Sequence, residues 1–492
     1  MFVLKVFFYI FHLISFINLI QSQIICLDNS NITCNCNYEK RLVTCIENQA
    51  SAETFIDWST FSTTEQIYVA FRFINFTRLT THTFTSFSSQ FSSFREVNFT
   101  FINGIDEISE NTFEVLNYFT NVLTYIRFYS PRNYQLADYA FSQIKCQELI
   151  IDNIQYNDIN NSPYQLNLKA FINTTIDEIS IINSKEVQLI SNQSSTLYWT
   201  NVYFNNCSLT NIDLLYDSLS ADHLTKLDLS SSGIVHFPSL VKFPYITTLN
   251  LRDNYISEIR SNLFTSENLI NEIDLSQNPL KRIEPNAFIK LHFLTSLIMD
   301  NTHLKSLETV TTDNKVVSFL SPLNQTLRSL VLSHNFLRNI DLLQDFSHLQ
   351  VLQVEYNLIE KINENTFKNA RDLQTLDLSN NLIESIHPWV FNHTRIASLV
   401  LSSNPISSLE TTITIYDEQS QPKNLTTSFL YSVALTLTEL TLAKCTHLSE
   451  INWFVFTKLK KLSFLNLSEI PKTNRFWLLE PRDGTLIPGL HK

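Results

Sequence analysis

Glycine is almost missing from this chain. Its 492 residues include four, Gly104, Gly233, Gly484 and Gly489. Loops that cradle phosphate or a dinucleotide need clustered glycines, because the backbone itself must approach the ligand. Four isolated glycines cannot build such loops in their usual form. Charge is thin as well: charged residues make up 17%, and the formal net charge is −12. No basic stripe is present that could replace counterions on a phosphate backbone, so nucleic acid is not an expected partner. The chain also lacks H-E-x-x-H, G-x-S-x-G and the P-loop. Its 12 histidines are scattered. His334 and His348 sit beside Ser and Asp residues, as most stretches of so polar a sequence would place them. No acid–base pair stands out, so no catalytic residue, metal ligand or cofactor is expected. Low-complexity tails and long Pro- or Ser-rich linkers are missing too. Against these gaps stands a hydrophobic content of 44%, enough for a large core and too much for a disordered chain.

The first 22 residues read as a signal peptide. Lys5 supplies a weak positive start, Phe7 to Ile20 is mostly apolar, and Ser22 is a small residue where cleavage can fall. The competing reading is an uncleaved anchor, since Phe2 to Ile20 approaches spanning length. Eleven N-x-[ST] triplets follow, at Asn31, Asn75, Asn98, Asn160, Asn173, Asn192, Asn206, Asn324, Asn392, Asn424 and Asn466. In a chain rich in Asn, Ser and Thr they support lumenal exposure without deciding it.

The seven cysteines fall into two groups. Cys26, Cys34, Cys36 and Cys45 crowd together just after the apolar leader. In an oxidising compartment that cluster reads as a disulfide framework with three possible connectivities. Zinc is the rival, but the C-x-C spacing fits it poorly and no histidine is near. Cys146, Cys207 and Cys445 lie far apart, at interior positions of the repeat described next. They read as buried, inert thiols.

Self-similarity dominates the rest. Ile270, Ile273, Leu275, Asn278, Leu280 and Ile283 match L-x-x-L-x-L-x-x-N-x-L-x-x-I, with Phe288 five residues later. Further units begin at Leu224, Ile246, Leu294, Leu327, Leu349, Leu373, Ile396 and Leu437, and a partial one at Leu462. The alternating L-x-L core reads as a short strand with one face buried, stacked in parallel at about 4.8 Å per repeat. The Asn column (Asn254, Asn278, Asn335, Asn357, Asn381, Asn404) can donate and accept, and so pair backbone groups in the turn. Phe264, Phe288, Phe367 and Phe391 would fill the wide side of the stack. Residues 66–220 are degenerate, and the late Phe sets their register: Phe84, Phe113, Phe141 and Phe171. Working back puts strands at Val69-x-Phe71, Val97-x-Phe99, Ile126-x-Phe128, Leu149-x-Ile151, Ile179-x-Ile181 and Val202-x-Phe204. Cys207 and Cys445 then take the Asn position, and Cys146 the first Leu position. The count is about 16 units over residues 66–470, clear from 221 onward.

This period, and the stretch from Cys34 to Cys45, resemble the extracellular leucine-rich-repeat proteins of animals. The resemblance spans roughly residues 26–470. It implies an α/β-type solenoid, a horseshoe with parallel strands on its concave face and irregular or short helical segments on the convex one. It implies a cap and linker over residues 23–65, with Cys26 paired to Cys36 and Cys34 to Cys45. Two overlong units, Leu294–Thr326 and Ile396–Thr436, read as loops leaving the solenoid. Related proteins usually close with a second cysteine cluster. Residues 471–492 hold none, so Trp477, Leu478 and Leu479 would fold back as a cover, or the chain belongs to a longer protein. No apolar tail for a membrane span or lipid anchor is seen in that segment.

Outward strand residues would line the concave face, where such proteins usually bind. The expected contact residues are Arg252, Asp274, Ile298, Val331, His334, Gln353, Glu355, Tyr356, Asp377 and Val400. Their mixture of apolar and polar groups with an aromatic anchor suits a protein partner, an extracellular ligand or receptor. A calcium ladder of Asp228, Asp274 and Asp377 is interrupted by Asn250, Ile298, Val331 and Gln353, so those acids read as structural. Asn98, Asn206 and Asn466 would project from strands or their edge, whereas none does so over 208–465. The middle repeats, 246–402, are therefore the expected contact region. The leading reading is a secreted or cell-surface binding protein in recognition, adhesion or signalling. The alternatives are a receptor ectodomain lacking its anchor and a self-associating matrix component, and a homodimer fits the latter. Expressed in secretory cells, the chain should appear in the medium and gain mobility after glycan removal. Retention inside the cell with no mobility change would contradict the secreted reading.

Overall fold

In the strand Glu96–Ile102, Val97, Phe99 and Phe101 are buried while Glu96, Asn98 and Thr100 are not. Alternation of period 2 is what a strand with one wet face requires. This pattern, stacked in parallel, builds the repeats of each unit. The computed structural model describes residues 24–471 except 29–30, 38–40, 49–55, 57, 59–67, 86, 88–94, 119–121, 133–134, 155–162, 192–195, 312, 417–420 and 450. The leader 1–22 and the segment 472–492 with Trp477, Leu478 and Leu479 therefore lie outside the described residues, as do Asn160 and Asn192. The chain divides into two compact units, Met1–Ile234 and Val235–Lys492.

The first unit opens with the cysteine cap. Ile24–Asp28, Ile32–Asn37 and Leu42–Glu47 form an antiparallel meander. Cys26 is bonded to Cys36 and Cys34 to Cys45, the pairing the resemblance implied. Leu42–Glu47 then runs parallel to the first repeat strand, Tyr68–Ile74. The cap thus covers a sheet edge that would otherwise expose unpaired backbone. Parallel strands follow at Glu96–Ile102, Leu123–Tyr129, Lys145–Asp152, Thr175–Ile182, Tyr198–Asn205 and Lys226–Asp228.

Aromatic rings fill this unit where leucines would be expected. Phe73 stacks on Phe101 at 4.8 Å and Phe101 on Phe128 at 4.8 Å. On the far side of the core Phe84, Phe113, Phe141 and Phe171 make a second column, with Phe113–Phe141 at 4.7 Å and Phe141–Phe171 at 5.0 Å. Trp58 closes the stack near the cap: its indole N–H donates to the Thr83 carbonyl at 2.9 Å. Such ring pairs add roughly 0.5–1.5 kcal/mol each beyond burial. The register of the first two repeats differs from the sequence reading. Ile126-x-Phe128 pairs with Phe99-x-Phe101, and that with Phe71-x-Phe73, two residues beyond the expected Val97-x-Phe99 and Val69-x-Phe71. A slip of two keeps every side chain on its face, so alternation alone could not detect it.

The second unit carries strands Thr248–Asn250, Glu272–Asp274, Ser296–Ile298, Ser329–Val331, Val351–Gln353, Thr375–Asp377, Ser398–Val400, Glu439–Thr441 and Phe464–Asn466, each parallel to the next. Both overlong repeats leave the stack as antiparallel hairpins, Glu308–Val310 with Val316–Ser318 and Glu410–Tyr416 with Pro422–Ser428. The far side is mostly turns and short 3-10 segments such as Asp341–Leu343 and Phe429–Val433.

Two columns tie one repeat of this unit to the next. Asn278 Nδ2 donates to the carbonyls of Leu275 and Ser276 in its own turn, and to Leu251 in the preceding repeat at 2.8 Å. Its Oδ1 accepts from the Ile256 N–H at 2.9 Å. Asn335, Asn357, Asn381 and Asn404 repeat this arrangement. Thr302 lies at this position in its own repeat, and its hydroxyl donates to the Met299 carbonyl. The second column stands one residue earlier. Asp253, Gln277, Asn301, His334, Tyr356, Asn380, Ser403 and Lys444 all have φ between 53° and 62°. Each donates its N–H to a carbonyl of the following repeat, as from Asn380 to Ser402 at 2.8 Å.

The first unit keeps the left-handed column (Asn75, Asn103, Asn153, Asn183, Asn206) but not the Asn column. There the equivalent positions hold Phe76, Gly104, Pro131, Ile154, Ser184, Cys207 and Ser232. Cys207 Sγ reaches the Ile181 carbonyl at 3.2 Å, and Cys445 Sγ the Leu401 carbonyl at 3.4 Å in the second unit. At Gly104 (φ 79°) a Cβ would come within 2.8 Å of the Asn75 backbone, so only glycine fits. Cys146, Cys207 and Cys445 are free and buried. Burial pushes the Cys207 thiol up to about 11 and raises Cys146 and Cys445 as well, which keeps all three protonated and unreactive at neutral pH. Replacing Asn381 by Ala leaves the Ile359 N–H and the Leu378 and Val354 carbonyls without their partner. We expect a loss of about 2–3 kcal/mol in urea unfolding, against almost none for the exposed Lys368→Ala. Equal midpoints for the two variants would refute a structural role for this column.

Candidate strand-lined binding face

Three outward rows cross the strands of the second unit. The middle row is Asn250, Asp274, Ile298, Val331, Gln353, Asp377, Val400, Thr441 and Asn466, in direct register. Six of the ten expected contact residues lie on it: Asp274, Ile298, Val331, Gln353, Asp377 and Val400. Arg252 and Glu355 sit two residues beyond their row positions, and His334 and Tyr356 belong to the left-handed column beside them. All ten are solvent-accessible, and Tyr356 is 52% exposed.

Two of the ten are committed to local structure. Asp274 Oδ1 accepts from the Ser276 N–H and Asp377 Oδ1 from the Ser379 N–H, both at 2.8 Å. Asp228 and Asn250 do the same for Ser230 and Arg252. These side chains pair an N–H that the end of a three-residue strand leaves open. That accounts for Asp in the L-D-L steps without any cation. Among the described residues no group of three or more His, Cys, Asp or Glu could hold a metal ion.

Ile298, Val331, Gln353 and Val400 carry no such duty and form the open centre. Beside them His334 Nδ1 lies 2.8 Å from Asp300 Oδ1, and its ring stacks on Tyr356 at 4.5 Å. Glu355 Oε2 and Ser333 Oγ are buried there without a hydrogen-bond partner. A buried carboxylate oxygen lacking a donor is costly unless something supplies one. Tyr356 (φ 56°) and His334 (φ 53°) also hold the left-handed conformation, which suits Asn better than a large ring.

Sequence reasoning missed a neighbouring column, the residue after the ladder position. Tyr255, Pro279, His303, Phe336, Leu358, Leu382 and Pro405 occupy it, with Tyr255, Phe336 and Leu382 exposed at 66%, 46% and 45%. The signal was present: this x of N-x-L needs no apolar residue for the fold, yet it holds one in most repeats of the unit. The nine described sequon asparagines are all outside the buried class. Asn98 lies on a strand face of the first unit, between Ala70 and Tyr125. Asn206 sits at a strand end in the left-handed column, and Asn466 on the last strand of the second unit. From Thr248 to Thr441 no sequon falls on the strand-lined face. Asn324, Asn392 and Asn424 lie in a turn, a turn and the second hairpin.

Parallel repeat strands, the Asn and left-handed columns and the disulfide cap build a leucine-rich-repeat fold with a cysteine cap at its N-terminal end. A leucine-rich-repeat family model matches residues 244–304 and 347–406. Comparison with curated proteins gave no match. Among solved structures, mouse RP105 in complex with MD-1 aligns over 86% of this chain at 18% identity and a TM-score of 0.50. Drosophila Toll in complex with Spatzle aligns over 91% at 15% identity and a TM-score of 0.53. The chain spans 66% and 64% of those two chains. The likeness is one of fold. Changing Tyr356 to Asn relieves the left-handed ring, so its unfolding midpoint should stay level or rise by about 0.5 kcal/mol. A loss above about 1 kcal/mol would make Tyr356 a structural residue.

Proposed function

We propose that this protein binds another extracellular protein through the strand-lined face of its second unit, in recognition or signalling at or outside the cell surface. The observation that carries the reading is the open centre around Val331, Gln353, Glu355 and Tyr356. There, apolar groups, an exposed aromatic pair and an unpaired carboxylate oxygen stand together with no sequon on the surrounding strands. Interface anchors have this make-up: an aromatic residue in a desolvated centre with a polar rim. RP105 and Toll, which share the fold, were each solved with a protein partner. The eleven sequons and the disulfide cap support an extracellular setting. Binding rather than catalysis is the activity such a surface offers.

The test is a pairwise screen of the secreted chain against individually expressed extracellular proteins, followed by variants measured on the partner found. Val331→Arg combined with Tyr356→Asn should weaken binding at least tenfold, about 1.4 kcal/mol. Ile289→Arg, exposed away from the strands, should leave it intact. The opposite pattern would move the binding surface off the strand-lined face.

A further inference from the structure

We propose that an open cleft at the turn edge of the second unit docks a short, extended acidic segment of a protein partner. The proposal rests on the protein-binding reading and assigns part of that partner's chemistry. The cleft, of about 580 Å3, lies between the turn after Pro279 and the base of the Glu308–Val310 hairpin strand. Its walls present Lys281, Arg282, His303, Lys305 and Glu308.

Lys281 and Lys305 stand three residues after Asn278 and Thr302, the same turn position in successive repeats, about 4.8 Å apart by the strand spacing. Arg338 holds that position in the next repeat, and Glu360 and Glu384 in the two after it. Arg282 is matched by Glu258 at 3.0 Å and Glu284 at 3.7 Å, and Arg338 by Glu360 at 3.4 Å. Lys281 and Lys305 are exposed, and among the described residues neither pairs with a carboxylate. Two ammonium groups without a direct ion pair, with Glu308 the one carboxylate on the cleft wall, stand side by side in a chain of net charge −12, a local reversal of the molecule's field.

The ligand class follows from three features. The ammonium pair calls for carboxylates at short spacing. An extended chain places alternate side chains about 6.7 Å apart, within reach of two flexible lysines. The adjoining apolar column, where the His303 and Phe336 rings lie 6.1 Å apart, offers contact to an intervening apolar residue. Finally, the switch to Glu360 and Glu384 two and three repeats along repels a uniform polyanion. A long sulfated polysaccharide or a nucleic acid therefore fits less well than a brief acidic stretch.

The experiment uses the whole secreted chain and a fluorescein-labelled decapeptide in which four Glu alternate with Val and Ser. The same peptide with Gln for Glu, and heparin as competitor, complete the set, all read by anisotropy at low salt. The Glu peptide should bind at least tenfold tighter than the Gln peptide. The double variant Lys281→Gln with Lys305→Gln should abolish that preference, and Lys368→Gln should not. Equal binding of the two peptides, or an unchanged preference in the double variant, would overturn the proposal. So would heparin binding at least tenfold tighter than the Glu peptide through the same two lysines, since the site would then belong to a sulfated glycan. Circular dichroism of the double variant guards against misfolding. The Val331→Arg, Tyr356→Asn variant keeps the cleft intact, so failure of the strand-face reading is separable: that variant would retain partner binding while peptide binding stood.

Discussion

The turns that join successive repeats of the second unit bury backbone groups that their own repeat cannot pair, and the fold depends on solving that problem each time. The Asn side chain solves part of it by serving two repeats at once, donating to carbonyls in both and accepting an N–H from the earlier one. The left-handed residue before it turns its own N–H toward the following repeat. Neither device works in a lone repeat. Each repeat is stable only as a neighbour, the physical content of a quasi-one-dimensional protein. A buried donor or acceptor left unpaired costs roughly 1–3 kcal/mol, so a stack of many turns tolerates few lapses.

The first unit meets the same constraint with other materials. It keeps the left-handed column, yet places Gly104, Ser184, Cys207 or Ser232 where asparagine would stand. In every repeat of this unit but the last, whose strand is Lys226–Asp228, longer strands replace part of what is lost: seven or eight residues, as in Glu96–Ile102 and Thr175–Ile182, against three in the second unit. More ladder bonds per repeat and a continuous file of stacked phenylalanines hold these repeats together. The cap adds a parallel strand and two disulfides at the exposed end.

This difference explains what could be read from the sequence. In the second unit the Asn and Leu columns repeat together, so the strands and the direction of each outward residue followed from spacing alone. In the first, phenylalanine replaces leucine and alternation runs on past the L-x-L core. The faces were legible there, but the register at Phe71 and Phe99 was not. The left-handed column was hidden because Asn, Asp, Ser, His, Tyr and Lys all occupy it, and no single residue type marks a backbone angle. The hairpins at 308–318 and 410–428 were visible only as extra length. Of the candidate site, the outward positions were legible from the repeat, whereas the duty of Asp274 and Asp377 to nearby N–H groups was not. Nor were the exposed rings at Tyr255 and Phe336, since a column of side chains emerges only when the repeats are stacked.

What singles out the middle of the second unit is that its open face is unfavourable by the standards of the rest. Rings sit at left-handed positions, a carboxylate oxygen lacks a donor, and valine and isoleucine face outward where Asp serves the strand end elsewhere. The account's central claim is that a protein partner takes up these groups. Hydrogen exchange on the complex with a captured partner tests it most directly. Amides in 296–301, 329–334 and 351–356 should gain protection, while those in the 3-10 segments Asp341–Leu343 and Phe429–Val433 exchange as in the free chain. Protection confined to the 3-10 side, with the strand segments unchanged, would contradict the account.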